Sequence, residues 1–245
     1  MIQTMKGLKF YVGTLLVGAC GLFQGCDSDD GFSLGDIGRD WVTVHVEGTG
    51  AYSFTGDTWG TMWPAATAIW GYRPVEGQRA ILYFNPLYEN FQSYDYGIKS
   101  EYIYDILTKS VEKLTPENEA EYGNDPAYIS DAWIGGGYLN LVFAQHVPQK
   151  EPHRVSLVQA TEELTDDGYI QLEYRYNTYG DTLDVRMIEG AVSYNLNTLD
   201  LENAKGIKLK LNDAVKGSRE VTFTRMDEDT PEAAKEMDFS QMNAR

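Results

Sequence analysis

Cysteine is almost missing from this chain. Only Cys20 and Cys26 occur in 245 residues, both near the start. Beyond Cys26 no disulfide, thiol catalysis or thiolate metal site is available. Basic residues are also scarce, with 20 Lys and Arg against 37 Asp and Glu, a formal net charge of −17. That deficit excludes the positive footprint that nucleic-acid binding requires. No apolar run reaches the roughly 20 residues of a spanning helix. Gly-x-Ser-x-Gly, Gly-x-Gly-x-x-Gly and Walker patterns are absent. Histidine is limited to His45, His146 and His153.

What is present begins with a signal. Lys6 and Lys9 precede the apolar run Phe10 to Phe23, which stops short of Cys26 and the acidic Asp27-Ser28-Asp29-Asp30. A basic start, a short apolar core and a cysteine are the pattern of a lipoprotein export signal over residues 1–25. Cys20 follows the better-matched Val17-Gly18-Ala19. Processing there would leave Leu22 and Phe23 in an aqueous tether, so Cys26 is the preferred lipidation site and Cys20 the alternative. A diacylglycerol plus an N-acyl chain, palmitate among them, suffices for stable anchoring. Residues 1–25 carry two lysines and no acid, so their removal moves the formal charge to −19. Such a chain is repelled by anionic membrane surfaces, which leaves tethering to the lipid. The acids after Cys26 resemble a surface-export signal of some Gram-negative lipoproteins; a solvated spacer is the plainer reading. An EF-hand starting at Asp27 fails, because the position of its bidentate acid is Gly38.

The remainder reads as all-β. Residues 26–38 form an acidic tether. Residues 39–111 carry five strand signals and no long helix, which suits a small OB-like barrel. Val42, Val44 and Val46 alternate; Ala80 to Phe84 is nearly continuous; a long strand from about Tyr94 to Thr108 loses its phase near Ser100 to Tyr102, the mark of a bulge. Pro64 and Asn85-Pro86 are expected to end pairing. Residues 112–127 read as a linker, with Thr115-Pro116-Glu117 opening a short helix. Residues 128–226 carry roughly seven period-two segments, the pattern of a β-sandwich. Gly135-Gly136-Gly137 reads as a turn. Residues 227–245 read as an acidic tail, disordered by composition.

Several segments together resemble the NigD-like lipoproteins: Thr61-Met62-Trp63-Pro64-Ala65-Ala66-Thr67, Tyr72-Arg73-Pro74 with Gly77-Gln78-Arg79, and Tyr104-Asp105-Ile106-Leu107-Thr108-Lys109. Ser33-Leu34-Gly35-Asp36 and Asn124-Asp125-Pro126 join them. The resemblance implies an N-terminal OB domain, a C-terminal β-sandwich domain and a place in the cell envelope. The family name comes from a bacteriocin gene cluster in which one member is taken to give immunity. The resemblance implies no defined activity or site.

No residue set points to catalysis, a cofactor or a metal. His146 and His153 flank Val147–Pro152 and would approach across paired strands, at best half a zinc site. Glu101 and Asp105 share a strand, and nothing places them across a cleft as glycoside hydrolysis requires. Aromatics are the remaining cue. Trp59 and Trp63 share parity with Thr61 and are expected inward. Trp70 and Tyr72 fall in a barrel loop, where OB-folds contact ligands, and are the binding candidates. The expected function is a non-enzymatic, lipid-anchored envelope protein of the outer membrane, exposed on its surface or facing the periplasm. It would take a protein or peptide partner, with bacteriocin immunity as one version. Surface glycan binding and a structural envelope role are the alternatives.

Overall fold

Period-two alternation builds the first domain. The computed structural model describes residues 37–181, 186–224, 230–232 and 234. Within them, β1 (Gly38–Val46), β2 (Tyr52–Gly56), β3 (Gly60–Thr67), β4 (Arg79–Phe91) and β5 (Tyr94–Asp105) close a barrel in the order β1-β2-β3-β5-β4. In the barrel, β3 and β5 pair in parallel and the other neighbours antiparallel. Val42, Val44, Phe54, Met62, Ala80, Leu82, Phe84 and Ile98 fill it, all fully buried. The bulge falls where the phase slips: Tyr83 faces Tyr102 and Phe84 faces Ser100, leaving Glu101 extra.

Neither proline ends its strand. Pro64 and Pro86 both face Ile98 of β5, each beside a register shift. Each also lies beyond the last rung to its other neighbour, β2 for Pro64 and β1 for Pro86. No N–H is demanded on that side, and proline is tolerated at such edges and bulges.

The second domain is a sandwich of nine strands, two more than the sequence pattern predicts. One sheet runs β14 (Gly217–Phe223), β13 (Ile207–Asp213), β11 (Ile170–Asn177), β10 (Arg154–Gln159), β7 (Glu112–Lys113). The other runs β6 (Leu107–Ser110), β12 (Met187–Asn195), β9 (Tyr138–His146), β8 (Tyr128–Gly135). The additional strands are β6 and β7. They lie in the stretch read as barrel end and linker, and they pair in parallel with β12 and β10. Their few residues show no alternation of their own. The linker's short helix, α1, spans Glu119–Tyr122, later than the expected start; Thr115 instead donates its N–H to Asn118 Oδ1 at 2.8 Å. Leu141, Leu157, Leu172, Val192, Tyr194 and Leu209 are among the fully buried side chains between the sheets.

A third cluster joins the domains. Trp41, Ile81 and Ile106 pack against Trp133, Val142 and Ala191, and Trp41 meets Trp133 edge-on at 4.8 Å. Ala234 is 1% exposed in this cluster, and its carbonyl accepts from Trp41 Nε1 at 3.4 Å. Thr230 is buried as well. Both positions fall in the stretch read as an acidic, disordered tail, and there the buried Ala234 docks on the junction. Among the described residues no helix is long and apolar enough to cross a membrane.

Beside that cluster lies a buried ion pair. Arg79 grips Asp57 through two parallel bonds, Nη1 to Oδ1 at 2.8 Å and Nη2 to Oδ2 at 2.6 Å. Their side chains are 0% and 3% exposed. Arg79 also donates to Thr43 Oγ1 at 3.1 Å and lies over the Tyr138 ring at 5.1 Å. Tyr138 in turn donates to the Gly77 carbonyl at 2.8 Å. Gly136 and Gly137 both have positive φ, as the tight β8–β9 turn demands. A Cβ on Gly136 would sit 2.6 Å from Asp57 Oδ1 and 2.8 Å from Arg79 Nη1. The turn is thus pressed onto the pair.

Removing one partner strands a buried charge. Asp57→Ala is expected to lower unfolding free energy by about 3–5 kcal/mol, read from urea unfolding, and the added change Arg79→Met to restore part of it. A loss under about 1 kcal/mol for Asp57→Ala would contradict this role.

Asp40 gives a second prediction. Burial raises its carboxyl from 3.8 to about 6, against the N–H bonds it accepts from Trp59 and Thr58. Between those values the folded chain holds a proton that the unfolded chain releases. The group's contribution to stability is therefore complete at low pH and lost as pH rises through about 6. Wild type should lose about 2–3 kcal/mol relative to Asp40→Asn between pH 4 and 7; parallel curves would exclude the shift.

Candidate functional site

The two aromatic candidates on the loop between β3 and β4 part company. Trp70 is 93% exposed. Tyr72 turns back onto the barrel, meets Tyr52 edge-on at 5.5 Å and donates to Asp105 Oδ1 at 3.0 Å. Burial, then the Asp105 charge, pushes its phenol well up. Ile69 packs beside it against the barrel core. The loop is held by Ile69 and Tyr72 and presents Trp70 to solvent. Cys20, Cys26 and most of the tether lie outside the described residues.

Trp59 and Trp63 do not share the barrel interior. Met62 is the inward residue of β3, so Trp63 belongs to the outward parity and lies against Tyr94 at 5.2 Å. Trp59 precedes β3 and packs at the barrel end, on Phe84 at 5.2 Å and Tyr96 at 5.1 Å. Further along, Phe91 covers Gly97, whose Cβ would come 2.7 Å from the ring. The half-exposed Tyr88 stacks on Phe91 at 5.4 Å.

A cleft that the sequence did not announce opens in the sandwich. Its volume is ≈ 280 Å³. Phe143 and Ile188 line it from one sheet and Val155 from the other, with Leu107 at the mouth. The arch of residues 147–153 closes one end through Pro148 and Pro152. Lys150, Glu151 and Glu189 supply charge. The arch joins β9 to β10, which belong to different sheets. His146 and His153 therefore come near enough to interact from different sheets, not across paired strands as expected.

His153 lies at the back of this cleft with its side chain 3% exposed. Its Nδ1 shares a 2.6 Å hydrogen bond with the Tyr176 hydroxyl. Nε2 is buried without a hydrogen-bond partner among the described residues and stands 3.7 Å from Asp181 Oδ2. Burial lowers the imidazole pKa, opposed by Asp181. No group of three or more metal-ligating side chains occurs among the described residues. His45 bridges Glu76 at 3.2 Å and Thr55 at 3.0 Å on the barrel surface.

Comparison with known proteins follows the two domains. Residues 41–106 match the model of the NigD-like N-terminal OB domain, and residues 110–225 that of the NigD-like C-terminal beta sandwich domain. No curated protein sequence matches. A toxin-related protein from Parabacteroides distasonis is similar at 30% identity, with 83% of this chain and 100% of that one covered and a TM-score of 0.68. A protein of unknown function from Bacteroides vulgatus shares 25% identity over 82% of this chain and 98% of that one, TM-score 0.70. A NigD-like immunity protein from Bacteroides caccae shares the fold at 18% identity, over 76% of this chain and 92% of that one, TM-score 0.56.

The two loop aromatics should respond differently to truncation. Trp70→Ala is expected to leave stability within about 0.5 kcal/mol, while Tyr72→Ala costs about 2–4 kcal/mol. Thermal denaturation of both variants decides; equal losses would contradict the division.

Proposed function

Because this chain belongs to the NigD-like family, we propose that it is a non-enzymatic protein of the cell envelope that binds a peptide or protein partner. The observation that carries the reading is the apolar cleft in the sandwich, walled by Phe143, Ile188 and Val155, with Lys150, Glu151 and Glu189 in its lining. Apolar hollows with few polar groups are the usual form of a recognition site. A net charge of −17 favours cationic partners through electrostatic steering. Bacteriocin immunity is the version of this function we favour. It is supported by the Bacteroides caccae relative described as an immunity protein and the Parabacteroides distasonis relative described as toxin-related. The test is binding of cationic bacteriocin-like peptides to the purified protein, together with the sensitivity of a deletion strain. Micromolar binding and a more sensitive strain are expected; the absence of both would overturn the reading.

Lipid at Cys26 would hold the protein at the outer membrane, on its surface or its periplasmic side. Cys26→Ser should abolish fatty-acid labelling and release the protein from membranes. Labelling retained in Cys26→Ser and lost in Cys20→Ser would transfer the site to Cys20.

A second reading is surface glycan binding. The stacked Tyr88 and Phe91 and the exposed Trp70 favour it, because flat aromatic faces stack on sugar rings. A glycan array with Trp70→Ala and Tyr88→Ala variants separates the two. Binding that these variants lose would replace the peptide reading.

A further inference from the structure

One side of the sandwich is only half walled. The chain crosses from one sheet to the other there, through β6 and then β7. β6 covers β12 only at Val192–Asn195, and β7 covers β10 only at Val158 and Gln159. Beyond them neither sheet has a further strand among the described residues, and the cleft lies between the two edges.

The edges are treated differently. On β10, Lys109 Nζ takes the Val155 carbonyl at 2.7 Å and reaches Ser156 Oγ at 3.3 Å. Arg154 is tied to Glu112 and Glu121. Charged side chains laid on a strand edge are a standard guard against further pairing. On β12, Met187–Ala191 pairs with β9 on one flank. Among the described residues it has no strand on the other flank. Met187 is exposed and Ile188 and Gly190 are partly buried. Gly190 shares the inward parity of Val192 and Tyr194 yet brings no side chain. The Phe143 ring occupies its place, 2.8 Å from where a Cβ would sit.

We infer that the Met187–Ala191 edge takes an extended peptide as an added strand, which places one apolar side chain of the peptide in the cleft and basic residues on either side. Strand addition satisfies the open N–H and C=O groups of β12, and every second side chain of the new strand faces inward. An added strand lies about 4.8 Å from β12, in line with β6 and over the cleft mouth. Charge decides the flanks: Glu189 stands exposed on the edge itself and Glu151 lines the cleft, on a protein of net charge −17. This rests on the peptide-partner reading above and names its site.

The test uses the purified full-length chain and a short fluorescent peptide that alternates lysine with leucine. A second peptide is identical but N-methylated at alternate residues, which blocks ladder bonds. The first should bind and slow amide exchange at Met187–Ala191. N-methylation should weaken it about tenfold or more. Glu189→Lys should weaken it by about tenfold, and Lys150→Glu should tighten it. Equal binding of both peptides, or protection elsewhere, overturns the site while leaving a peptide partner standing. No binding at all also overturns it, and the deletion-strain assay then judges the broader reading separately. Concentration-dependent dimers lost in Glu189→Lys would assign the edge to a second copy of this chain and overturn the peptide.

Discussion

The bidentate pair of Arg79 with Asp57 is the contact on which the arrangement of the molecule depends. It sits where the barrel meets the sandwich, and its surroundings come from both. Thr43 and Gly77 belong to the barrel; Tyr138 and the Gly136 turn belong to the sandwich. A charge pair this deep contributes little net stability by itself, since desolvation offsets attraction. Its geometric demand is what matters. Both partners belong to the barrel, and the sandwich covers them with the Tyr138 ring and the Gly136 turn, so the pair shapes the surface on which that turn is seated.

The same corner fixes where the second domain begins. The Arg79 carbonyl accepts from Ile106 N at 2.8 Å, and the Arg79 N–H goes to Thr108 Oγ1 at 3.0 Å. Gln78 Nε2 reaches the Ile106 carbonyl at 2.6 Å. Gly77-Gln78-Arg79 thus pins the exit of β5 and the entry of β6. From that point the chain spends four residues on one sheet and two on the other before leaving in the direction of α1. The wall it builds is short, and the opening beside it follows from the pinned start. Junction and cleft are in this sense one construction: the contact that orders the domains also decides how much of the sandwich edge stays bare.

Much of the fold was legible in the sequence because its strands are half-buried and alternate. Val42 and Val44, and Ile170 to Tyr176, carry that period plainly. The bulge near Ser100 was legible as a loss of phase. β6 and β7 were not, since their order comes from parallel pairing with distant strands. The prolines misled because a proline's effect depends on whether its vacant side faces a neighbour, and single-chain reading gives no neighbours. Trp63 was misassigned by one residue of parity, enough to move it from core to surface. Of the binding candidates, only the loop position of Trp70 and Tyr72 was readable. Tyr72 binds inward through Asp105, a residue remote in sequence. The cleft left one trace, the glycine at position 190, where a side chain is missing beside Phe143. Nothing in sequence tells that β9 and β10 lie in different sheets, so the arch of 147–153 read as a hairpin.

Recognition of peptides by strand addition requires one open edge while the rest is protected. Lys109 and Arg154 guard β10, and the barrel has no free edge on the strands that close it. The open stretch of β12 is short, which limits unwanted pairing between copies. The measurement that bears most directly on this account is residue-resolved amide exchange of the protein with and without a cationic bacteriocin-like peptide. The account predicts slowed exchange centred on Met187–Ala191 with the barrel loop around Trp70 unchanged. Protection confined to that loop, or none anywhere, would contradict it.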